Sequence, residues 1–117
     1  MPILDVELYE PASPGLAQHL ADAVGQALAS PTCHTWVRLH PMDPRHYAEN
    51  GASVAPADLP VFVTILHREP PVGTALESEV KALTALVAAV LGKNAERVHL
   101  RYAVAAAGRQ AFGGKLV

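Results

Sequence analysis

The sequence predicts a single α+β domain, residues 1–117, built from two tandem β-α-β units. Two observations carry this. Four short runs rich in β-branched and apolar residues alternate with two longer runs in which apolar residues recur at helical spacing. The chain is also a weak duplicate of itself. Pro2-Ile-Leu-Asp-Val-Glu-Leu-Tyr answers to Pro60-Val-Phe-Val-Thr-Ile-Leu-His, and Val37-Arg38-Leu39 answers to Leu100-Arg101-Tyr102. Arg38 and Arg101 are separated by the same interval as Gly51 and Gly114, so the later parts register without a gap. Repetition this short marks two copies of one supersecondary unit, about 1–58 and 59–117, because a solenoid needs at least three.

The elements follow in order. Residues 2–9 read as a strand opened by Pro2. Ser13 and Pro14 read as an N-cap with proline at the first helical position, and Leu16, Leu20, Val24 and Leu28 draw an apolar stripe that Ser30-Pro31 stops. A second strand is expected at 34–40. From Pro41 to Leu59 the chain is rich in Pro, Asp, Asn and Gly and reads as the connection between repeats, with a short strand around Tyr47. The third strand is expected at 60–67. Thr74 and Glu77 read as a capping box, and Leu76, Val80, Leu83, Val87 and Leu91 give a second helix ending at Gly92. A fourth strand is expected at 97–103, before a Gly113-Gly114 turn.

Two helices cover only one face of a four-stranded sheet. Pro60 to Leu66 is nonetheless apolar at nearly every position, as in a strand buried on both sides. The uncovered face therefore calls for another chain. The tail at 112–117 is expected to pair with a neighbour's free strand edge.

Composition removes several classes of function. A net charge of −2 gives no basic footprint for nucleic acid. No apolar run reaches the ~18 residues of a membrane span, and the first residues lack the pattern of a signal peptide. The one cysteine, Cys33, makes no internal disulfide, fits a reducing cytoplasm and reads as a small buried thiol. Cys33, His34, His40 and His46 lack the paired spacing of zinc sites, so no metal is expected. His19 reads as solvent-facing.

Pro2 is the residue with chemistry to offer. Removal of Met1 leaves a secondary amine of fixed φ at the head of a rigid strand. An α-amino group titrates near ~8, and an apolar pocket lowers it further, which makes it a general base near neutrality. The bland alternative is a proline at the first position of a strand. Arg38 sits mid-strand, where a guanidinium either lines a pocket or pairs with a carboxylate such as Glu49 or Asp5. His99 and Arg101 alternate on one face of the last repeat strand, with Val98, Leu100 and Tyr102 on the other.

Pro2, the Val37-Arg38-Leu39 strand, Leu66-His67-Arg68-Glu69 and the closing Ala111-Phe112-Gly113-Gly114 together resemble the tautomerase superfamily. That superfamily includes 4-oxalocrotonate tautomerase, macrophage migration inhibitory factor and the chloroacrylic acid dehalogenases. The resemblance spans nearly the whole chain and is carried by the order and spacing of these segments. It implies a four-stranded mixed sheet with two helices on one face and a homotrimer. It also implies a cofactor-independent isomerase acting on a small anionic 2-oxo or enol acid, with Pro2 as catalytic base.

In the oxalocrotonate tautomerases an arginine in the strand of Arg38 contacts substrate from a neighbouring subunit. In the migration-inhibitory-factor branch the positions of His99 and Arg101 hold a tyrosine and an asparagine near the pocket; two basic residues here suit an anion. The cis-3-chloroacrylic acid dehalogenase branch has a Leu-His-Arg-Glu run whose arginine, matched by Arg68, binds the substrate carboxylate. Its second arginine is replaced by Pro71, and Gln110-Ala111-Phe112 offers no glutamate to activate water, which speaks against dehalogenation. The resemblance thus leaves Arg38, Arg68 or Arg101 to hold the carboxylate, with Tyr102 or Phe112 shielding the site from water. A lyase of the same family, decarboxylase or hydratase, and a non-catalytic trimeric binding protein are the alternatives.

Overall fold

The computed structural model describes residues 1–117. Its elements are β1 (Ile3–Leu8), α1 (Leu16–Ala27), β2 (Trp36–Pro41), β3 (Val61–Leu66), α2 (Gly73–Leu91) and β4 (Val98–Tyr102), closed by β5 (Ala111–Phe112) and β6 (Lys115–Leu116). The four long strands form one sheet in the order β2-β1-β3-β4. β1 and β2 run parallel, as do β3 and β4, and the two pairs meet antiparallel through β1 and β3. Each repeat supplies one parallel pair and one helix, giving the mixed sheet that the duplicated sequence leads one to expect.

Alternation along the strands divides the sheet into two faces. Leu4, Val6, Leu8, Val61, Val63, Ile65 and Val98 pack against Leu20 and Val24 of α1 and Leu83, Val87 and Ala88 of α2 in one core. The opposite face has no helix over it. There Trp36, on the edge strand β2, and Phe62, on the central strand β3, are each 36% exposed, an open aromatic surface.

Both helices end in the same way. Ala29 and Gly92 take the left-handed conformation, with φ of 50° and 64°. The amide of Ser30 donates to the carbonyl of Gly25 at 2.8 Å and that of Lys93 to Ala88 at 2.9 Å, closing a Schellman motif at each end. Ala29 and Gly92 are separated by the same interval as Arg38 and Arg101, so the repeat extends to the caps.

Several local expectations are corrected. Ser13 is not the cap of α1: Gly15, at φ 78°, takes the preceding position, and the Ser13 carbonyl accepts from Leu16 in a turn. Val72 rather than Thr74 precedes α2, with no side-chain cap, so Thr74 and Glu77 lie inside the helix and form no capping box. β2 begins at Trp36 because Cys33 turns the chain at φ 64°. Cys33 is exposed, not buried. No strand forms at Tyr47; Pro44–His46 and Pro56–Asp58 are 3₁₀ turns, as their prolines favour, and only a Glu49–Ala52 bridge lies between. The tail is the expected hairpin: Gly113 and Gly114 both adopt positive φ in its two-residue turn between β5 and β6.

Candidate functional site

One end of the sheet gathers the residues of interest. The starts of β1 and β2 and the ends of β3 and β4 all lie there, because β1 runs against β3. Pro2 is buried immediately before β1, and its carbonyl accepts a hydrogen bond from the Trp36 amide at 3.0 Å. Its position is therefore set by two strands. Met1 precedes it, and burial holds the Met1 α-amine below its ordinary pKa. The environment thus penalises a positive charge at this terminus.

The basic residues of the uncovered face fall into two matched pairs. In β1–β2 Asp5 stands beside Arg38, and in β3–β4 Thr64 stands beside Arg101. The Arg38 guanidinium donates to Asp5 Oδ2 at 2.7 Å, and His40 Nε2 lies 2.8 Å from Oδ1. Desolvation raises the Asp5 pKa, but the hydrogen bonds from Arg38 and His40 outweigh it and hold the carboxyl below its usual range. Arg101 has only the neutral Thr64 hydroxyl, at 3.2 Å. The duplication has therefore left one arginine neutralised and its counterpart with an uncommitted charge. Beside Arg101, the His99 ring lies 5.2 Å from that of Phe62.

Phe112 of the closing hairpin stacks on Trp36, centroid to centroid 5.0 Å. Together with Ile3, Arg38 and the outer residues of α1 they line a groove of about 930 Å³ beside the start of β1. A second cleft, of about 820 Å³, lies at the far end of the sheet under residues 41–59. Tyr47 and Arg97 both donate to Glu49 in that region, a cluster remote from Pro2.

On the helix-covered side the structure brings together a polar cluster that sequence reasoning missed. Glu79 of α2 accepts from the Tyr102 hydroxyl at 2.6 Å through Oε2, and the same oxygen lies 2.8 Å from His67 Nε2. The His67 and Tyr102 rings stack nearly parallel, and the His67 and Glu79 side chains are only 12% and 13% exposed. Burial and then the Glu79 hydrogen bond push the Tyr102 hydroxyl far above its ordinary pKa. Tyr102 is thus committed to Glu79 and turned away from Arg101. A faint signal was present: at ~100° per residue Glu79 lies only about 60° from Leu76, on the edge of the apolar stripe of α2.

Arg68 is exposed in the turn after β3, with no carboxylate partner, and its carbonyl accepts from Ala107 at 3.1 Å. Within one chain, then, Pro2, His67 and Tyr102 share the covered side. Arg38, His99 and Arg101 occupy the open one. No three His, Cys, Asp or Glu side chains gather where they could hold a metal ion, and no helix is long and apolar enough to cross a membrane.

No family model matches this chain, and no curated protein matches it. Solved structures do. Pt0534 inactivated by 2-oxo-3-pentynoate is 20% identical, with 97% of this chain and 95% of that chain covered at a TM-score of 0.76. A fused 4-OT, an asymmetric trimer, is 18% identical over 97% and 94% of the two chains, with a TM-score of 0.72. Macrophage migration inhibitory factor of Toxoplasma gondii is 17% identical over 98% and 99%, with a TM-score of 0.70. The chain has the fold of the 4-OT and migration-inhibitory-factor structures over nearly its whole length.

Proposed function

We propose that this chain is a member of the tautomerase superfamily that interconverts keto and enol forms of a small anionic 2-oxo or enol acid. One observation carries the reading: a buried proline at the head of β1, in this fold, at a terminus where burial disfavours positive charge. Once Met1 is removed, the Pro2 nitrogen is a secondary amine. It takes a proton from the enol hydroxyl or α-carbon, and the proton is returned at another carbon, with no cofactor. General-base catalysis of this kind contributes about 10²–10⁴-fold.

The homotrimer is part of the same reading. The uncovered face exposes Trp36, Phe62 and the arginines, and a neighbouring sheet would bury it. Assembly would also bring basic residues of the open face to the Pro2 of another chain. Arg101, uncommitted and near the end of β4, is the better carboxylate anchor; Arg38 is already satisfied by Asp5. His99 supports the same anion, while Phe112 and Trp36 stack at the β2 edge and would reach that site only from another chain. One observation favours a lyase reading as the second choice: Arg68, at the Pro2 end, carries no acidic partner and occupies the place where the dehalogenase branch anchors its acid.

Phenylenolpyruvate and 2-hydroxymuconate, assayed with the native sequence and with Pro2→Ala, test the reading. A loss of at least about 100-fold in kcat/KM in the variant is expected. Equal rates in the two proteins would remove Pro2 as the base and favour a non-catalytic binding protein.

A further inference from the structure

Close to the N-terminal proline the fold holds an imidazole whose orientation is already fixed. His67 follows β3 directly, one residue beyond the Ile3–Leu66 pair that ends the antiparallel ladder, as Pro2 is one residue before it, and strand alternation puts both on the covered side. Glu79 Oε2 takes the Tyr102 hydroxyl proton in a hydrogen bond and lies 2.8 Å from His67 Nε2. An ionised carboxylate only accepts, so the proton of the neutral ring sits on Nε2. The other ring nitrogen is Nδ1. It has no protein partner, and with the side chain 12% exposed it is not sealed from solvent. A carboxylate that holds one imidazole nitrogen while the other faces outward is the arrangement of an oriented acid–base group.

Tautomerisation takes a proton from one atom and delivers one to another, and a single amine serves both only if it reaches both. We propose that His67 is a second acid–base group of the site, acting through Nδ1 at the atom Pro2 does not reach. The proposal rests on the reading of Pro2 as the general base. In ketonisation, neutral Pro2 takes the enol O–H proton while the imidazolium gives its Nδ1 proton to carbon. The O–H bond breaks, the C=C electron pair forms the new C–H bond, and the oxygen lone pair closes the carbonyl. Protonated Pro2 and neutral His67 remain, and proton exchange through water from the amine to Nδ1 restores the start. Substrate and product have the same formula, so no oxidant or co-reactant enters.

The titratable groups around His67 are Glu79 from α2, Tyr102 from β4, the terminal amine before β1, and Arg68 and Glu69 on its own turn. Tyr102 is no rival for the role, since its proton is held by Glu79.

Steady-state kinetics of the intact assembly, with 2-hydroxymuconate as substrate across pH, test the proposal in His67→Gln, Glu79→Gln and Pro2→Ala. In His67→Gln, kcat is expected to fall about 100-fold with KM little changed. The bell-shaped pH profile should reduce to its acid limb, and added imidazole should recover part of the rate. In Glu79→Gln, kcat should fall less and both limbs should remain. Nitrogen NMR of the native protein should show the Nε2–H tautomer at His67, a readout that stands even where a variant fails to fold. An Nδ1–H tautomer overturns the proposal. So does a His67→Gln rate within about twofold of native while Pro2→Ala is inactive, an outcome that leaves the Pro2 reading intact. A Pro2→Ala variant at the native rate removes both.

Discussion

Replacing Arg101 by alanine should damage the reaction far more than replacing Arg38, although the two occupy equivalent places in the repeat. The difference lies in their partners. Arg38 gives its charge to Asp5 at 2.7 Å, and His40 occupies the other carboxylate oxygen, so a substrate must compete with an existing ion pair. Arg101 faces Thr64, a neutral acceptor at 3.2 Å, and its charge is free for an anion. A charge-assisted hydrogen bond is worth about 1.5–3 kcal/mol, which converts to roughly 10–150-fold in kcat/KM. Arg101→Ala should show a loss in that range on 2-hydroxymuconate. Arg38→Ala should stay within about fivefold, because its guanidinium is exposed, screened by solvent and already paired with Asp5. Sedimentation beside the kinetics confirms that each variant keeps the native assembly. A tenfold loss confined to Arg38→Ala would refute the reasoning, and a loss confined to Arg68→Ala would move the anchor to the turn after β3.

Other consequences follow from the same geometry. The Pro2 amine should titrate below the ~8 of a free α-amino group, since desolvation and nearby guanidinium charge both disfavour its protonated form. kcat/KM should therefore rise through that value as pH increases, and an NMR titration giving a pKa above 8 would contradict it. Ala29→Gly should stabilise the fold by about 0.5–1 kcal/mol, because an L-residue in the left-handed conformation costs about 1–2 kcal/mol and glycine returns part of that as chain entropy; a lower urea midpoint would count against the cap assignment. Asp5 has a depressed folded pKa, so its contribution to stability is complete above ~4 and is lost as pH falls through the folded value. Asp5→Asn should accordingly flatten the loss of stability below about pH 4, measured by urea unfolding from pH 2 to 7. A sedimentation profile showing a monomer at micromolar concentration would remove the trimer and the shared site with it.

What the sequence disclosed depends on how far each feature reaches along the chain. β1 and β3 were legible because β-branched runs such as Val61-Phe62-Val63-Thr64-Ile65 declare themselves locally, and the helix stripes because leucine and valine spacing is local too. Helix starts were not. Gly15 and Val72 displaced the expected caps, since a serine or threonine near a helix marks a preference that neighbouring backbone conformation overrides. Ala29 was invisible as a left-handed cap because alanine disfavours that conformation, and only comparison with Gly92 reveals it. Pro2 and the arginines stood out as residues costly or unusual in their context. The His67–Glu79–Tyr102 cluster did not, because three separate elements, β3, α2 and β4, must pack before those side chains meet. The partnering of Arg38 was left between two carboxylates, and the register of β1 with β2 decides for Asp5.

The central claim is that a neutral, nucleophilic amine stands at Pro2, and covalent labelling tests it most directly. 2-Oxo-3-pentynoate, the inactivator bound in the similar Pt0534 structure, is an electrophilic ynone that a free secondary amine attacks by conjugate addition. The protein should be treated with it at neutral pH in a Cys33→Ser background, which removes the exposed thiol as a competing nucleophile. Peptide mass mapping should then place one equivalent on Pro2, with activity lost in step. Full labelling elsewhere, or an unmodified and still active protein with a free Pro2 terminus, would contradict the account.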